Sequence, residues 1–573
     1  MKRSIQKALL FMTGAALILL ASCSKAPESG KHIPKNAAIV FGFKSKQIQD
    51  KLAKDGLTID KIFETLQQSD TSNNYAKALA DAKSSGIDLE GDVFFAMVPG
   101  EAGGNMSMIV VADVSDAAKL EAFVKEKSKK EVKAGKDFKY VEDKNSVVGF
   151  TAKTMIGIAT IDQGNRYFDS EDTAKPAAAS GTALLEKLFT LKADESVATI
   201  ASFKDISKEK GDILFWMSSE ALYNMNGANA SGMGALMASN MKKITEGAFT
   251  TGSANFEAGK IDFDAWSYTS KELAAIIKKY PVEKVNVAAI EQYPSDNIFG
   301  YAAINFDLRI VGELLKMMGM DGFANMGLSE ARITLDDLLL AFKGEMTLVG
   351  SDFAAVPKPT EWDSTATKPE AKWIFSLKVG DKAAFEKVMA SPMIAQSLTK
   401  QGDEYVPNMP LGEVSLSINS KRVLAASDAE LLKSYDAGKG KAKLDGDALD
   451  NAKGSYGAFY VDVEKIMNAI PSKQMELPDS ISTDLKSLLK SISAKSEQFS
   501  GEKSHSSGVV LFKDQSKNAL SQLFNFTNKV YNWTNAKRKA DEAQWGEPAA
   551  DAVIVDSAIV EDAAVAAPAV EEK

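Results

Sequence analysis

Side chains that act as nucleophiles, general bases or zinc ligands are scarce in this 573-residue sequence. It contains one cysteine, Cys23, and two histidines, His32 and His505. Zinc centres and Cys-His hydrolases need several of these residues close together, and disulfides need cysteines in pairs. The counts therefore exclude disulfide frameworks, zinc ribbons, Cys-His hydrolases and most histidine-based metal sites. We assign no catalytic, cofactor-binding or metal-binding residue from the sequence and expect no cofactor.

The contexts of both histidines argue against a role in catalysis. His32 falls in a predicted tether, where no neighbour orients its ring, and His505 begins a predicted strand with its ring in water. A general base needs a partner that orients it, and the sequence offers none nearby. A Ser-His hydrolase built on His505 stays open as a minor hypothesis. A glycosidase that uses two carboxylates also stays open, although nothing distinguishes two among the 77 acidic residues.

Motifs of the common enzyme classes are absent from the sequence. It has no Gly-x-Ser-x-Gly elbow, no Gly-x-x-x-x-Gly-Lys phosphate loop, no His-Glu-x-x-His helix and no EF-hand ligand series. Four aspartates stand where a predicted strand leads into a predicted helix: Asp116, Asp307, Asp381 and Asp462. An aspartate there accepts hydrogen bonds from free N–H groups of the first helical turn, so we predict that these four cap helices. A catalytic role is the alternative, and it is disfavoured because none belongs to a carboxylate cluster.

The first 22 residues have the pattern of a secretion signal. Lys2, Arg3 and Lys7 form a positive segment, and an apolar run of 13 residues follows at 8–20. That run is shorter than the roughly 20 residues that a membrane-spanning helix needs. We therefore predict a signal peptide at 1–22. An ordinary secretory signal that happens to end near a cysteine is the alternative to the lipoprotein signal described next.

The residues around Cys23 predict a lipid anchor. The segment Leu20-Ala21-Ser22-Cys23 resembles the cleavage site of bacterial lipoprotein signals, in which the cysteine is acylated and begins the mature chain. Each buried CH₂ group contributes about 0.8 kcal/mol, so acyl chains such as palmitate hold a protein at a membrane without a spanning helix. We predict lipidation of Cys23, followed by a polar tether at 23–34. Ser24 favours the outer membrane with the body facing the periplasm, and display at the cell surface stays open.

The same region resembles a known family. The segment Leu20–Cys23, the short tether and the strand entry Ile33-Pro34-Lys35-Asn36-Ala37 look like an uncharacterised family of Bacteroidetes outer-membrane lipoproteins with a domain of unknown function. The motifs cover only about the first 50 residues, and the remainder agrees in length and in its alternation of strands and helices. The family has no assigned activity, so the resemblance implies a functional role for Cys23 alone.

The charge of the chain argues against nucleic-acid partners. The formal net charge is −9, and only five arginines follow the signal. Nucleic-acid-binding proteins rely on basic surfaces whose arginines contact phosphate. The segment 545–573 has seven carboxylates, one lysine and many Ala, Val and Pro residues. We predict that this acidic tail is disordered, with a short strand at 553–555 as the alternative.

Between tether and tail, the chain repeats one pattern of strands and helices. The matched segments are 34–43 with 294–306, 91–96 with 344–349, 109–116 with 375–381, 147–159 with 414–426, 213–220 with 458–464, and Gly252 with Gly508. We predict two homologous halves, 35–282 and 292–536, with a longer loop at 351–371 in the second half. Chance similarity between the elements of any α+β chain is the alternative. The predicted fold class is α+β, with a mostly antiparallel sheet in each half covered by helices.

A methionine-rich segment predicts an apolar groove. Between Met217 and Lys242, methionines recur at largely four-residue spacing, and the candidate groove residues are Met225, Met233, Met237 and Met241. This spacing aligns side chains on one helix face, and thioethers adapt to varied apolar partners. A methionine-rich core face interrupted by a loop is the competing interpretation. A second, glycine-interrupted cluster, at 317–323, is predicted to end a helix.

These patterns predict a location and an architecture but no chemical activity. We expect a lipid-anchored cell-envelope protein that is not an enzyme and that binds or scaffolds a partner. The expected partners are the membrane, through Cys23, and an envelope protein or a lipid; nucleic acid is not expected. One alternative is a carrier of an apolar ligand in the methionine-rich groove. Another is an envelope hydrolase that uses carboxylates.

Overall fold

The computed structural model describes residues 28–69, 74–99, 105–143, 146–162, 178–208, 211–227, 233–359, 366–410, 412–444, 448–475 and 477–545. The predicted signal peptide, Cys23 and the tail beyond Trp545 lie outside these residues. The strands are β1 (Ile39–Phe43), β2 (Val93–Pro99), β3 (Asn105–Asp113), β4 (Lys133–Ala134), β5 (Lys139–Asp143), β6 (Ser146–Phe150), β7 (Thr154–Asp162), β8 (Ile213–Ser218), β9 (Phe249–Glu257), β10 (Lys260–Tyr268), β11 (Ile298–Asn305), β12 (Phe342–Pro357), β13 (Thr367–Val379), β14 (Leu398–Gln401), β15 (Glu404–Pro407), β16 (Ser415–Asn419), β17 (Arg422–Ala426), β18 (Gly457–Asp462), β19 (Leu489–Ser496) and β20 (Lys503–Phe512).

Helices connect and cover these strands. They are α1 (Ser45–Lys54), α2 (Ile59–Ser69), α3 (Tyr75–Ser84), α4 (Ala117–Ser128), α5 (Ala178–Phe189), α6 (Ala201–Lys208), α7 (Ser219–Gly227), α8 (Met233–Thr245), α9 (Lys271–Lys279), α10 (Ala288–Glu291), α11 (Arg309–Met318), α12 (Asp321–Leu328), α13 (Leu335–Ala341), α14 (Lys382–Met389), α15 (Pro392–Ala395), α16 (Ala429–Asp436), α17 (Ala448–Ala452), α18 (Val463–Ala469), α19 (Asp479–Leu488) and α20 (Ala519–Trp545). Short 3₁₀ turns lie at Glu28–His32, Ala193–Glu195, Val197–Thr199 and Ser472–Met475. The predicted α+β class is confirmed.

The twenty strands form one sheet in which neighbouring strands are antiparallel. Its order from edge to edge is β4-β5-β6-β7-β3-β2-β1-β8-β9-β10-β20-β19-β18-β11-β12-β13-β17-β16-β15-β14. We call β1–β10 the first unit and β11–β20 the second unit. Outward from the centre, both units present their strands in the same order, because β10-β9-β8-β1-β2-β3 corresponds to β20-β19-β18-β11-β12-β13.

Two details of the predicted repeat are wrong. Gly252 lies in β9, whereas Gly508 lies in β20, the strand that corresponds to β10. The expected loop at 351–371 is instead an extension of the β12–β13 hairpin, in which residues 354–357 pair with 367–370. Pairing between the two strands gives the backbone N–H and C=O groups of the inserted residues hydrogen-bond partners. The insertion therefore lengthens the two strands instead of forming a loop.

One face of the sheet is covered by helices in both units. In the first unit, Phe94, Ile109 and Trp216 pack with Leu185 of α5 and Phe203 of α6. In the second unit, a corresponding cluster combines buried strand residues with helix α16: Tyr301, Val349, Tyr460, Leu431 and Tyr435. Each unit therefore has its own core on the same face of the common sheet.

The two units meet through β10 and β20. These strands pair over nine positions, from Lys260 opposite Leu511 to Tyr268 opposite Lys503. The N–H of Gly259 donates to the oxygen of Lys517, so the β9–β10 turn also contacts the segment after β20. Gly259 has φ of +68°, which favours glycine, and a Cβ there would lie 2.6 Å from Gln515. We call the β10–β20 pair the seam.

The sheet ends in short strands at both edges. β4 has two residues and β14 has four. Each carries a lysine with a nearby acidic partner, since Lys133 pairs with Glu142 and Lys400 pairs with Glu386. Such short, charged strands offer little backbone for pairing with another chain.

The N-terminal end of the described chain corrects the predicted tether. Residues Glu28–His32 form a 3₁₀ turn, and Ile33 is fully buried in the first core. His32 is also buried, with its Nδ1 donating to the oxygen of Leu188 at 3.0 Å and its ring against Phe189. The expectation that nothing orients His32 is therefore wrong, and the folded body begins before residue 35.

Candidate functional site

The second face of the sheet is uncovered across its central strands. Directly opposed residues of antiparallel strands lie on one face, and the register links the following residues: Phe41, Phe215, Gly252, Ala265, Ser506, Ser496, Gly457 and Ile304. We call this the open face. Near the outer ends of the sheet it is covered, because Leu120 of α4 and Phe385 of α14 pack there in buried clusters. The uncovered region is therefore central and crosses the seam.

Large apolar side chains are exposed along this open face. They are Phe41 (42% exposed), Met217 (36%), Phe263 (41%), Ile304 (46%), Leu348 (44%) and Phe459 (41%). They belong to six different strands, β1, β8, β10, β11, β12 and β18, and two-residue steps along each strand keep all six on the same face. A contiguous apolar surface of this kind on a folded protein marks a site for a ligand or a partner.

A shallow cavity of about 280 Å³ lies on the open face at the seam. Phe263, Ile492, Ala494 and Val510 supply its apolar side chains, from β10, β19 and β20. The alternation Ile261, Phe263, Ala265 in β10 places these side chains together and turns Asp262, Asp264 and Trp266 to the other face. The cavity is built by residues of both units.

The opposite face of the seam carries a polar cluster around His505. Its Nε2 lies 3.1 Å from Oδ1 of Asp264, its Nδ1 lies 3.2 Å from Oε1 of Glu497, and its ring stacks on Trp266 with centroids 4.2 Å apart. The His505 side chain is 17% exposed, so the prediction of a ring in water is wrong. Because carboxylates contact both ring nitrogens, neither nitrogen is left to activate a hydroxyl in this arrangement.

The aspartates predicted to cap helices do so in three cases. Asp116 accepts from the N–H groups of residues 118 and 119, and Asp381 accepts from the N–H of residue 384. Asp462 accepts from the N–H of residue 465. Asp307 accepts from the backbone N–H of Arg309 and forms an ion pair with its guanidinium. None of these carboxylates lies at the cavity.

One other carboxyl has an altered acidity. Burial raises the pKa of Asp92 to about 6, and the nearby negative charge of Asp113 acts in the same direction, while Lys44 opposes both.

Within the described residues, no group of three or more His, Cys, Asp or Glu side chains is arranged to hold a metal ion. Among the described helices, none combines the length and the apolar character needed to cross a membrane.

The predicted methionine groove is divided between two helices. Met225 lies in α7, whereas Met233, Met237 and Met241 lie in α8, with 228–232 between them outside the described residues. The side chains of the first three also lie outside the description, and Met241 is half-buried. The four methionines therefore do not lie in one row on a single helix. Of the segment 317–323, the first residues end helix α11 as predicted, with Gly319 at φ of +72°, whereas residues 321–323 begin α12.

Sequence reasoning missed the open face for a physical reason. Alternation in β10 separates Phe263 from its charged neighbours, and such a pattern is normally interpreted as a core face pointing inward. Which face the helices cover depends on connections between elements far apart in the chain. A signal was nevertheless present, because β1, β8 and β18 have large apolar residues at consecutive positions and therefore on both faces.

The fold and the site define an α+β protein built on one antiparallel sheet, with one face covered by helices and an apolar surface exposed at the centre of the other. The chain belongs to the family described as domain of unknown function DUF4836, whose sequence model matches residues 34–520. No curated protein matches the sequence. Among solved structures, crystal form IV of TP0453 is similar with 8% identity and a TM-score of 0.24, covering 42% of this chain and 81% of that one. Crystal form III of TP0453 has 8% identity, a TM-score of 0.24, and coverage of 46% and 90%.

Proposed function

We propose that this protein is a lipid-anchored cell-envelope protein that binds acyl chains on its open face and catalyses no reaction. The observation that carries the proposal is the set of six exposed apolar side chains, from six strands, on a single face. Full burial of such a side chain contributes roughly 1.5–3 kcal/mol, and because these six are 36–46% exposed, covering the remainder gains about 1 kcal/mol each, which favours an apolar ligand. The cavity at the seam supplies a depression in which such a ligand lies.

An acyl chain suits this surface better than a protein segment does. Protein interfaces are enriched in Tyr, Trp, Phe, Met and Arg, of which Tyr, Trp and Arg add hydrogen bonds to apolar burial. The large exposed side chains of the open face are Phe, Leu, Ile and Met, which have no strong hydrogen-bonding group. A hydrocarbon chain requires none. The predicted role as a scaffold for an envelope protein is the competing proposal for the same face.

The membrane anchor is proposed from the sequence. The signal at 1–22 and the acylated Cys23 would place the body at the outer membrane, facing the periplasm. Five residues lead from Cys23 to the 3₁₀ turn at Glu28–His32, and an extended chain of that length spans at most about 18 Å. The folded body would therefore stay close to the bilayer, which is a source of acyl chains.

We also propose that the two units are homologous halves produced by internal duplication. The common strand order supports this, as does the pairing register, in which Phe215 of β8 and Phe459 of β18 take corresponding positions. Corresponding helices also follow these strands, namely α7 and α8 in the first unit and α18 and α19 in the second. The cavity then lies where the two halves meet.

Photo-crosslinking tests the binding proposal in the full chain. Membrane vesicles that contain the protein are treated with an uncharged methyl palmitate probe carrying a diazirine on its chain, and adducts are mapped by mass spectrometry. We expect adducts in β10, β19 and β20. Ala494→Phe fills the cavity and abolishes them, whereas Ala122→Phe, at an exposed position of helix α4 outside the cavity, leaves them unchanged. Adducts only on helices, or none, would reject acyl-chain binding.

The anchor has a separate test. Cells that express the wild type and Cys23→Ser are fed radiolabelled palmitate, and label is measured in the immunoprecipitated protein. We expect label in the wild type alone, because Cys23 is the only thiol in the chain. Equal labelling of both forms contradicts lipidation at this residue.

A further inference from the structure

At the seam, the side chains of the open face change from apolar to hydroxyl-bearing along the direction of the strands. Its apolar end carries Ile261, Phe263, Ile492 and Val510, and its other end carries Thr250, Ser267, Ser496, Ser504 and Ser506. All nine side chains lie on the same face, because opposed pairs link them across β9, β10, β20 and β19. One end of the cavity region is therefore hydrocarbon, and the other is a row of hydroxyl groups.

This difference in polarity arises because the two units have different side chains at corresponding positions of the seam. The register places Ser506 of β20 at the position that corresponds to Phe263 of β10, and Ser504 at the position of Ile261. Because β10 and β20 are antiparallel, corresponding positions lie at opposite ends of the seam. The two units share a strand order but not a side-chain pattern here, so the surface distinguishes one end of a ligand from the other.

The hydroxyl end is polar without being charged. Thr250 Oγ1 and Ser267 Oγ lie 3.3 Å apart, and Ser506 is exposed. The charged residues that alternate with the serines turn to the opposite face, where the Lys503 ammonium lies over the Trp266 ring. A ligand group at this end meets donors and acceptors of hydrogen bonds but no counter-charge from these strands.

The cavity volume is small for a ligand site. About 280 Å³ is at the lower limit of the range of roughly 300–1,000 Å³ that ligand pockets occupy. A single hydrocarbon chain fits this space better than the several chains of a larger lipid. The apolar end borders helices α19 and α20, whose Leu488, Leu520 and Leu523 pack against the buried cluster that contains Ile261.

We infer that the ligand is a single-chain amphiphile with an uncharged, hydroxyl-bearing head group. Its tail lies against Phe263, Ile492 and Val510, and its head group exchanges hydrogen bonds with Ser504 and Ser506. This inference rests on the proposed acyl-chain binding and adds the head-group chemistry and the direction in which the ligand lies. A charged head group is disfavoured because the seam strands present no opposite charge on the open face at this end.

Two matched probes test the inference. Monoacylglycerol and its phosphate ester, each with the same diazirine-bearing chain, differ in that the ester carries a charged phosphate in place of one free hydroxyl. We expect monoacylglycerol to label the full chain at about tenfold lower concentration, with adducts from the chain terminus at the apolar end of β10 and β19. Ser506→Ala, at an exposed position, lowers labelling by monoacylglycerol about fivefold, the effect of one lost hydrogen bond, and leaves labelling by the phosphate ester unchanged.

The outcomes separate this inference from the proposed function. Equal labelling by both probes, unaffected by Ser506→Ala, overturns the head-group inference while acyl-chain binding stands. Adducts from the chain terminus at the serine end overturn the inferred direction. Absence of label on the open face with either probe rejects the proposed function itself. Ser420→Ala, in an exposed turn far from the seam, controls for general effects of removing a serine hydroxyl.

Discussion

At the scale of single residues, Asp92 couples the stability of the fold to pH. Burial raises the pKa of its carboxyl from 3.8 to about 6, so the folded state binds the proton more tightly than the unfolded state does. The ionised form therefore destabilises the fold above pH 6. As pH falls from about 6 toward 4, the folded chain takes up a proton and this penalty disappears.

We predict that Asp92→Asn increases stability at pH 8 by up to about 3 kcal/mol, since one pKa unit corresponds to about 1.4 kcal/mol. The gain shrinks as pH falls through 6 and is absent below 4. Chemical denaturation at several pH values measures it. Glu90→Gln removes an exposed carboxylate on the same turn and serves as control, with a change under about 1 kcal/mol. A gain that does not depend on pH would contradict the mechanism.

Single-residue roles were predictable where the partner is close in sequence. The caps at Asp116, Asp381 and Asp462 use N–H groups two or three residues ahead, and a local pattern contains that information. The surroundings of His505 were not predictable, because Asp264 is 241 residues away. Only the pairing of two strands from different units brings them together.

At the scale of elements, a buried ion pair fixes helix α1 to the sheet. Lys51 Nζ lies 2.9 Å from Asp212 Oδ2, and the Asp212 side chain is fully buried. Asp212 also accepts hydrogen bonds from the Gln47 side chain and the Phe256 backbone N–H. Loss of the lysine leaves a buried carboxylate without its counter-charge, which costs more than the pair itself contributes.

We predict that Lys51→Ala lowers the free energy of unfolding by about 3–5 kcal/mol. On the same helix, Lys46→Ala breaks an exposed pair with Glu90 and lowers it by less than about 1 kcal/mol. Urea denaturation of both variants gives the comparison. Similar losses for the two would show that α1 is held by general packing instead of this pair.

Most strands and their order along the chain were predictable, because alternating apolar residues mark strands whatever lies around them. The predicted blocks at 91–96, 213–220 and 458–464 fall on β2, β8 and β18. The hairpin arm of β12 and β13 was not predictable as strand, because it lacks the alternation that burial on one face produces. The candidate site was missed for a related reason, since alternation separates two faces without telling which one is covered.

At the scale of the whole molecule, the seam joins two units that each have a separate core. The nine residue pairs between β10 and β20 make the sheet continuous. Contacts on either side are reciprocal, because the β9–β10 turn bonds to the chain after β20 and the β19–β20 turn bonds to the chain after β10. Cooperation between the units depends on this region.

We predict that Ser507→Pro, at the centre of β20, separates the unfolding of the two units. A proline there removes a ladder hydrogen bond and disrupts the pairing, while the two cores remain intact. Calorimetry of the full chain is expected to show two transitions, against one for the wild type. Ser420→Pro, in the β16–β17 turn where proline is well tolerated, is the matched control with one transition. A single transition in Ser507→Pro would mean that neither unit is stable alone.

The two ends of the sheet bear on how the protein behaves at high local concentration. A β-sheet invites polymerisation by adding strands from copy to copy, and the anchor proposed above would confine the molecules to two dimensions, where they collide often. Here the terminal strands have two and four residues and present lysine side chains, so a colliding neighbour finds almost no backbone with which to pair. Crowding, at a membrane or in solution, therefore leaves these molecules as separate particles and not as fibres.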